Sequence, residues 1–558
     1  MVKRFVVLAL VCISFAAEAG ELIASKAVVA TANHDATEAA LEVLRAGGNA
    51  FDAAVTAALV LGVSEPQSSG LGGGGFATIY DAKTKQVRCL DFRERAPILA
   101  HRDLYIREGV AKPELSQTGA LSVAVPGQAA GLFELHKKYG KKPFASLVDP
   151  AVKLAQNGVR VSAHLSAAFT RYSETLARFE STKSAWAKGG KFPETGAKWV
   201  QPELAKTLKR YGAQGPNGFY KGEVARKITE GVVAQGGILS LLDMAEYQVK
   251  WREPVTTKYR SYDVFSMPPP SSGGVHLAEM LNMLETRDVK TLGYHSPVLL
   301  HFLIETMRRA YADRATYLGD PGFVAVPVQG LVSKEYAKQL SASIDPKLAS
   351  KSDKVGPGKP EGSKESTQTT HFSIIDADGN AVAITTTVNG PFGSSLVVEG
   401  TGVLLNDQMD DFAIAPGVPN LFGLVGGEAN SVAPRKTPLS SMAPTIVLKD
   451  GALRWVIGSP GGATIITQVL LALVNLIDFE SDTFQAIALP RIHMQWKPDV
   501  VQIERFALDP LTQKALADLG HTFKVQDAWG NAQIVGVLPD GRRVGASDPR
   551  GDGLTLGY

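Results

Sequence analysis

The sequence predicts a mixed α/β fold with helices flanking strands, and three stretches carry that expectation. Thr369 to Asn389 reads TTHFSIIDADGNAVAITTTVN, two runs rich in β-branched residues around the turn cluster Asp376-Ala377-Asp378-Gly379-Asn380. Ala36 to Ala46 and Phe51 to Val63 carry helical patterns, with Gly47-Gly48 as the stop between them. Ile465 to Leu476 is the richest apolar run; Thr467, Gln468 and Asn475 interrupt it, so it reads as a buried helix rather than a membrane span.

A hairpin turn centred on Asp378 pairs Ile375 with Ala381 and, in the same register, sets Thr369 opposite Thr387. Directly opposed side chains have Cβ atoms about 5 Å apart, within reach of a hydroxyl hydrogen bond. A threonine hydroxyl needs a base to act as nucleophile, and at a chain N-terminus its own α-amino group serves, titrating at about 7.7 to 8.0. That chemistry requires a chain break between Gln368 and Thr369. An ordinary threonine-rich edge hairpin has the same composition. A calcium loop at Asp376 to Asn380 is excluded, because Thr387 stands where the bidentate Glu belongs.

The chain has 558 residues, 45% hydrophobic and 20% charged, enough for a large core or several domains. Its net charge of +3 is not gathered into any long basic run, which gives no support for nucleic-acid binding. Met1 to Arg4 is basic, Phe5 to Ala17 apolar, and Ala17-Glu18-Ala19 suits cleavage before Gly20, so residues 1–19 read as a secretory signal peptide. Secretion, most simply to the periplasm and otherwise to the medium, follows, with no stable membrane anchor. Loss of Cys12 leaves Cys89, in a strand-like setting, as a buried thiol without a disulfide partner.

Glu65 to Phe76 includes Gly72-Gly73-Gly74-Gly75 but lacks the features of a phosphate loop, and it reads as close backbone packing ahead of a strand at Phe76 to Tyr80. Arg93 and Arg95, in Leu90-Asp91-Phe92-Arg93-Glu94-Arg95, both suit a bidentate grip on a carboxylate, and composition does not choose between them. From Gly119 to about Tyr336 the pattern is mainly helical, broken by a turn at Ser266 to Gly274. Ser341 to Ser366 has the composition of an exposed, flexible linker. The backbone N–H groups of Gly461 and Gly462, ahead of the apolar helix, suit an oxyanion. The ten His residues form no ligand-spaced cluster, so neither a metal nor a cofactor is expected.

Thr369-Thr370-His371-x-Ser373, Asp378-Gly379-Asn380-Ala381-Val382, Thr385-x-Thr387-Val388-Asn389 and Phe392-Gly393 resemble the signature of the γ-glutamyltranspeptidases, a family of N-terminal-nucleophile hydrolases. The resemblance runs from about Ala24 to Tyr558. It implies a four-layer αββα sandwich built jointly by two fragments of one precursor, a large one (20–368) and a small one (369–558). It further implies a γ-glutamyl transferase and glutathione hydrolase acting through a γ-glutamyl-enzyme ester, with glutathione-like donors and amino acid or dipeptide acceptors. Thr369 is the implied nucleophile and Thr387 orients it. The substrate α-carboxylate falls to Arg93, Ser440 and Ser441, and the α-amine to Asn389, Gln408 and Asp411.

Ala415 to Gly423 resembles a lid loop, with Phe422 where some members carry tyrosine. Two other readings stand beside this one: a same-fold cephalosporin or glutaryl acylase, and a periplasmic amino-acid-binding protein without catalysis. The balance of hydrolysis and transfer, the preferred acceptor and the assembly of the two-fragment unit are not written in the sequence.

Overall fold

The computed structural model describes residues 20–360, 370–415 and 417–558. Residues 1–19, read as a signal peptide, the end of the linker, Pro416, Gln368 and Thr369 lie outside the described residues. No described helix is long and apolar enough to cross a membrane.

Two seven-stranded sheets dominate. In the first, the order is Leu22–Ala24, Arg543–Ser547, Gln533–Val537, Ala452–Gly458, Thr445–Lys449, Tyr262–Ser266 and Val255–Tyr259. In the second it is Leu554–Gly557, Val28–Thr31, Thr370–Ile375, Ala381–Thr387, Gly74–Asp81, Gln86–Phe92 and Lys250–Arg252. Each sheet mixes strands from both sides of Thr369. The hairpin at the heart of the second sheet is flanked by Val28–Thr31 and Gly74–Asp81, both far upstream.

Side-chain alternation along the strands builds the layers. Ala30, Ile375, Ala381 and Ala383 of the second sheet meet Ile446, Val456 and Val535 of the first in a buried seam between the sheets. Phe372, Ile374, Val382 and Ile384 point the other way, into helices that include His34–Arg45, Ala50–Ser64 and Phe144–Asn157. Val447, Trp455, Ile457 and Ile534 bury the outer face of the first sheet against Gly273–Leu284, Pro297–Tyr317 and Ile465–Ile477. The order helix, sheet, sheet, helix is the αββα sandwich, and each fully buried aliphatic side chain adds about 1.5–3 kcal/mol to it.

The hairpin register is as the turn predicts: Ile375 faces Ala381 and Thr370 faces Thr386. Asp376 closes the loop by accepting from Asn380, while Gly379 supplies the positive φ of 87°. One local reading changes and one is refined. The helical stretch contains a hairpin, Val255–Tyr259 with Tyr262–Ser266, whose first strand alternates buried and exposed residues. The described part of the linker is mostly exposed, as expected, but it is pinned at a few buried points. Ile344, Ala349 and Ser352 are buried there, and the Ser352 amide donates 3.0 Å to Asp499. Ser352 and Ser343 accept from the buried Arg308 and Arg309, pairings that composition does not reveal.

Candidate active site

Thr387 ends its strand facing Gly74, with its hydroxyl accepting 2.7 Å from the Asn389 amide. That bond leaves the hydroxyl proton as a donor, and among the described residues it has no acceptor. The glycine-rich loop lies against this strand end. A Cβ on Gly73 would overlap the Thr387 carbonyl oxygen, so the close approach needs glycine. Asn389 takes a positive φ of 78°, donates 3.1 Å to the Asp407 carbonyl and keeps a buried, unpartnered Oδ1.

His371, the conspicuous base beside the strand start, is fully buried, with Nδ1 at 2.9 Å from Thr385 Oγ1 and Nε2 at 2.9 Å from Ser373 Oγ. Burial pushes its pKa down to about 3, so it is a neutral prop rather than a proton acceptor at neutral pH.

The turn Gln408–Asp411 follows from Asp407, and among the described residues three side chains donate to Asp411. Arg93 Nη2 donates 2.5 Å and Gln408 Nε2 2.6 Å to Oδ2, and Asn420 Nδ2 donates 3.2 Å to Oδ1. Of the two arginines it is Arg93 that reaches Asp411, whereas Arg95 stacks on the Tyr247 ring at 4.9 Å. Arg93 and Asp411 were expected to grip opposite ends of a ligand; they are adjacent to each other. Adjacency suits a zwitterion whose two charges sit on one carbon.

The Ser440–Ser441 turn lies against this pair. Arg93 Nε donates 3.4 Å to the Pro438 carbonyl and Nη2 3.4 Å to that of Leu439. Ser440 is fixed by its amide on the Pro270 carbonyl at 2.8 Å and by its own carbonyl, which accepts from Ser272. The turn Ser266 to Gly274 is therefore the floor under the two serines.

Gly461 and Gly462 follow the strand Ala452–Gly458, both at positive φ, 125° and 63°. Their N–H groups have no hydrogen-bond acceptor among the described residues. The Thr464 amide donates back to the Gly461 carbonyl at 3.1 Å, and the helix Ile465–Ile477 begins at once, so both N–H groups sit at a helix start.

Several acidic groups near the site went unassigned in the sequence. Glu94 is fully buried beside Arg93, with both carboxyl oxygens lacking hydrogen-bond partners, and burial raises its pKa to about 8. Burial holds Asp407 well above the usual carboxylate range, and Asp410 is raised to about 6, again chiefly by burial. Asp410 accepts 2.7 Å from Ser116 and 2.9 Å from the Leu421 amide, tying the loop 417–423 to the turn Gln408–Asp411. Asp410 stands next to Asp411, but an Asp-Asp pair by itself reads as a solvated turn. Glu94 gave no signal apart from its place beside Arg93. No group of three or more His, Cys, Asp or Glu residues suited to a metal occurs among the described residues.

The chain is similar over most of its length to known proteins. Residues 36–558 match the sequence profile described as Gamma-glutamyltranspeptidase. The glutathione hydrolase proenzyme of Escherichia coli K12 is 44% identical over 538 residues, 96% of this chain and 92% of that protein. The crystal structure of a cephalosporin acylase from Bacillus halodurans superposes with a TM-score of 0.87 at 28% identity, covering 99% of both chains. That of Helicobacter pylori γ-glutamyltranspeptidase is 42% identical, covering 59% of this chain and 94% of its own, with a TM-score of 0.58.

Proposed function

Because the chain belongs to the γ-glutamyltranspeptidase family, we propose that it is a self-processing γ-glutamyl hydrolase and transferase in which Thr369, freed by cleavage after Gln368, is the nucleophile. The α-amine of Thr369 takes the proton from Oγ as that oxygen attacks the γ-glutamyl carbonyl of a donor such as glutathione. Negative charge on the carbonyl oxygen is met by the Gly461 and Gly462 N–H groups. Collapse expels the amine with the amine-borne proton and leaves an ester. Water, or the amine of an amino acid or dipeptide, then attacks the ester and regenerates Thr369.

The observation that carries the reading is the convergence of Arg93, Gln408 and Asn420 on Asp411 beside Ser440 and Ser441. A γ-glutamyl group carries an ammonium and a carboxylate on one carbon, so it meets Asp411 and Arg93 together. The fragments 20–368 and 369–558 form the working heterodimer, since each sheet needs strands from both. Residues 1–19 direct secretion, to the periplasm in a bacterium with two membranes.

The acylase reading has one observation in its favour, the close superposition on the cephalosporin acylase. A glutaryl group keeps the carboxylate and lacks the ammonium, so the two readings separate on one assay. Processed protein is offered glutathione and a glutaryl amide in parallel. Turnover of glutathione at least about a hundredfold faster supports the γ-glutamyl reading, on the scale of one lost buried charge pairing. Preference for the glutaryl amide overturns it.

A further inference from the structure

The helix Pro297–Tyr317 carries a buried arginine, Arg314, that has no part in the chemistry above. Its Nη2 donates 3.1 Å to Ser441 Oγ and its Nε donates 3.2 Å to Ser272 Oγ. Ser272 Oγ in turn donates 2.9 Å to the Ser440 carbonyl. One turn earlier on the same helix, Tyr311 donates its hydroxyl proton to the Ala463 carbonyl, beside the Gly461–Gly462 turn. A single helix thus braces both the serine turn and the oxyanion turn.

Hydrogen-bond direction gives Arg314 a more specific task than bracing. A guanidinium has five N–H donors and no acceptor, so Ser441 Oγ must accept in their contact. The one Ser441 hydroxyl proton is then committed elsewhere, and no acceptor for it exists among the described residues. Ser441 is fully buried, so an acceptor brought by a ligand completes it. Were the partner an acid or a carbonyl, the same hydroxyl would spend its proton on the protein and present lone pairs to the ligand.

The geometry points to Arg314 as a positioning residue that fixes Ser441 as a hydrogen-bond donor to the donor substrate's α-carboxylate, and so makes recognition depend on that carboxylate. The inference rests on the γ-glutamyl reading of the site. Arg93 and Arg314 then both hold the serine turn, Arg93 through the Pro438 and Leu439 carbonyls and Arg314 through Ser441 and Ser272.

The test compares γ-glutamyl-4-nitroanilide with 4-aminobutanoyl-4-nitroanilide, which keeps the amine and lacks the carboxylate, on wild type, Arg314→Met, Arg314→Lys, Ser441→Ala and the Arg314→Met/Ser441→Ala double variant. For the γ-glutamyl donor, Arg314→Met raises KM about tenfold to thirtyfold with kcat within about threefold, the signature of lost ground-state binding. For the donor without the carboxylate, kcat/KM stays within about threefold of wild type, because the hydroxyl has no carboxylate to meet. The double variant is no worse than the more severe single variant within about threefold, since Arg314 acts through Ser441.

Arg314→Lys keeps the charge without the fork and falls between wild type and Arg314→Met. With Ser441→Ala it decides the matter if the Met variant fails to fold or process. Equal losses on both donors, or multiplicative losses in the double variant, overturn the inference alone. A wild type that does not distinguish the two anilides overturns the γ-glutamyl reading and this inference with it.

Discussion

His371 Nδ1 lies 2.9 Å from Thr385 Oγ1, joining two residues directly opposed across the central hairpin. Thr387 stands two residues beyond Thr385 on the same strand, so its side chain leaves the same face. Opposed polar side chains on that face meet at hydrogen-bond distance, and the same register continued by one pair gives the proposed meeting of Thr387 with Thr369. The Thr387 hydroxyl, already accepting from the Asn389 amide, is available as a donor to the nucleophile's oxygen.

Thr387→Val should therefore lower kcat by about tenfold to a hundredfold, the worth of one hydrogen bond to a developing charge, with KM little changed. It should also slow self-cleavage. Steady-state kinetics on processed protein and the processed fraction over time check both, and unchanged values in both would exclude an orienting role.

His371 gives a pH prediction of definite sign. Folded, it stays neutral down to about pH 3; unfolded, it takes up a proton below about pH 6.5. The unfolded state therefore binds more protons between those values. Stability from this group is intact above about pH 6.5 and falls by at most about 1.4 kcal/mol per pH unit as the solution is acidified toward pH 3. Denaturant midpoints of wild type and His371→Gln should converge on acidification, while the pH profile of kcat/KM keeps its limb. Parallel midpoints, or a displaced limb, would contradict the neutral prop.

Gly73 and Gly356 make a matched pair. A Cβ at Gly73 meets the Thr387 carbonyl, whereas one at Gly356 has nothing within 4 Å. Gly73→Ala should destabilise by about 3 kcal/mol and reduce processing, with Gly356→Ala within about 0.5 kcal/mol of wild type. Thermal unfolding of the two variants side by side decides it.

Much of this was legible in the sequence, and what was not has physical causes. The hairpin register followed from one turn cluster, because Asp376 to Asn380 leaves little freedom in how Ile375 and Ala381 meet. Only the family resemblance separated Arg93 from Arg95 in the sequence, since it takes the fold to bring Asp411 to one and Tyr247 to the other. Arg314 was invisible for the same reason, a charged residue late in a long helix whose partners lie 42 and 127 positions away. The hairpin after Lys250 was submerged in helical surroundings, although Val255 to Tyr259 alternates as a strand should.

The lid depends on Asp410. Asp410→Ala removes the acceptor for Ser116 and for the Leu421 amide, and should speed proteolytic cutting between residues 417 and 425 about tenfold, as expected for lost buried hydrogen bonds. Asp410→Asn should cut like wild type, because its Oδ1 accepts from Leu421 while its Nδ2 donates to the Ser116 hydroxyl. The wild-type carboxyl, raised to about 6, binds a proton in the fold that the unfolded chain gives up above about pH 4. Its ionisation thus costs stability as pH rises from about 4 to 6, a cost that Asp410→Asn removes. Equal cutting of the Ala variant and wild type would show that Asp410 does not hold the lid.

The central claim is that the chain cuts itself to expose Thr369. Intact mass and N-terminal sequencing of the purified mature protein, wild type beside Thr369→Ala, test it directly. The account predicts two fragments in the wild type, the smaller beginning at Thr369, and one uncut chain in the variant. A wild type that stays a single chain, or a variant that is cut at the same bond, would contradict it.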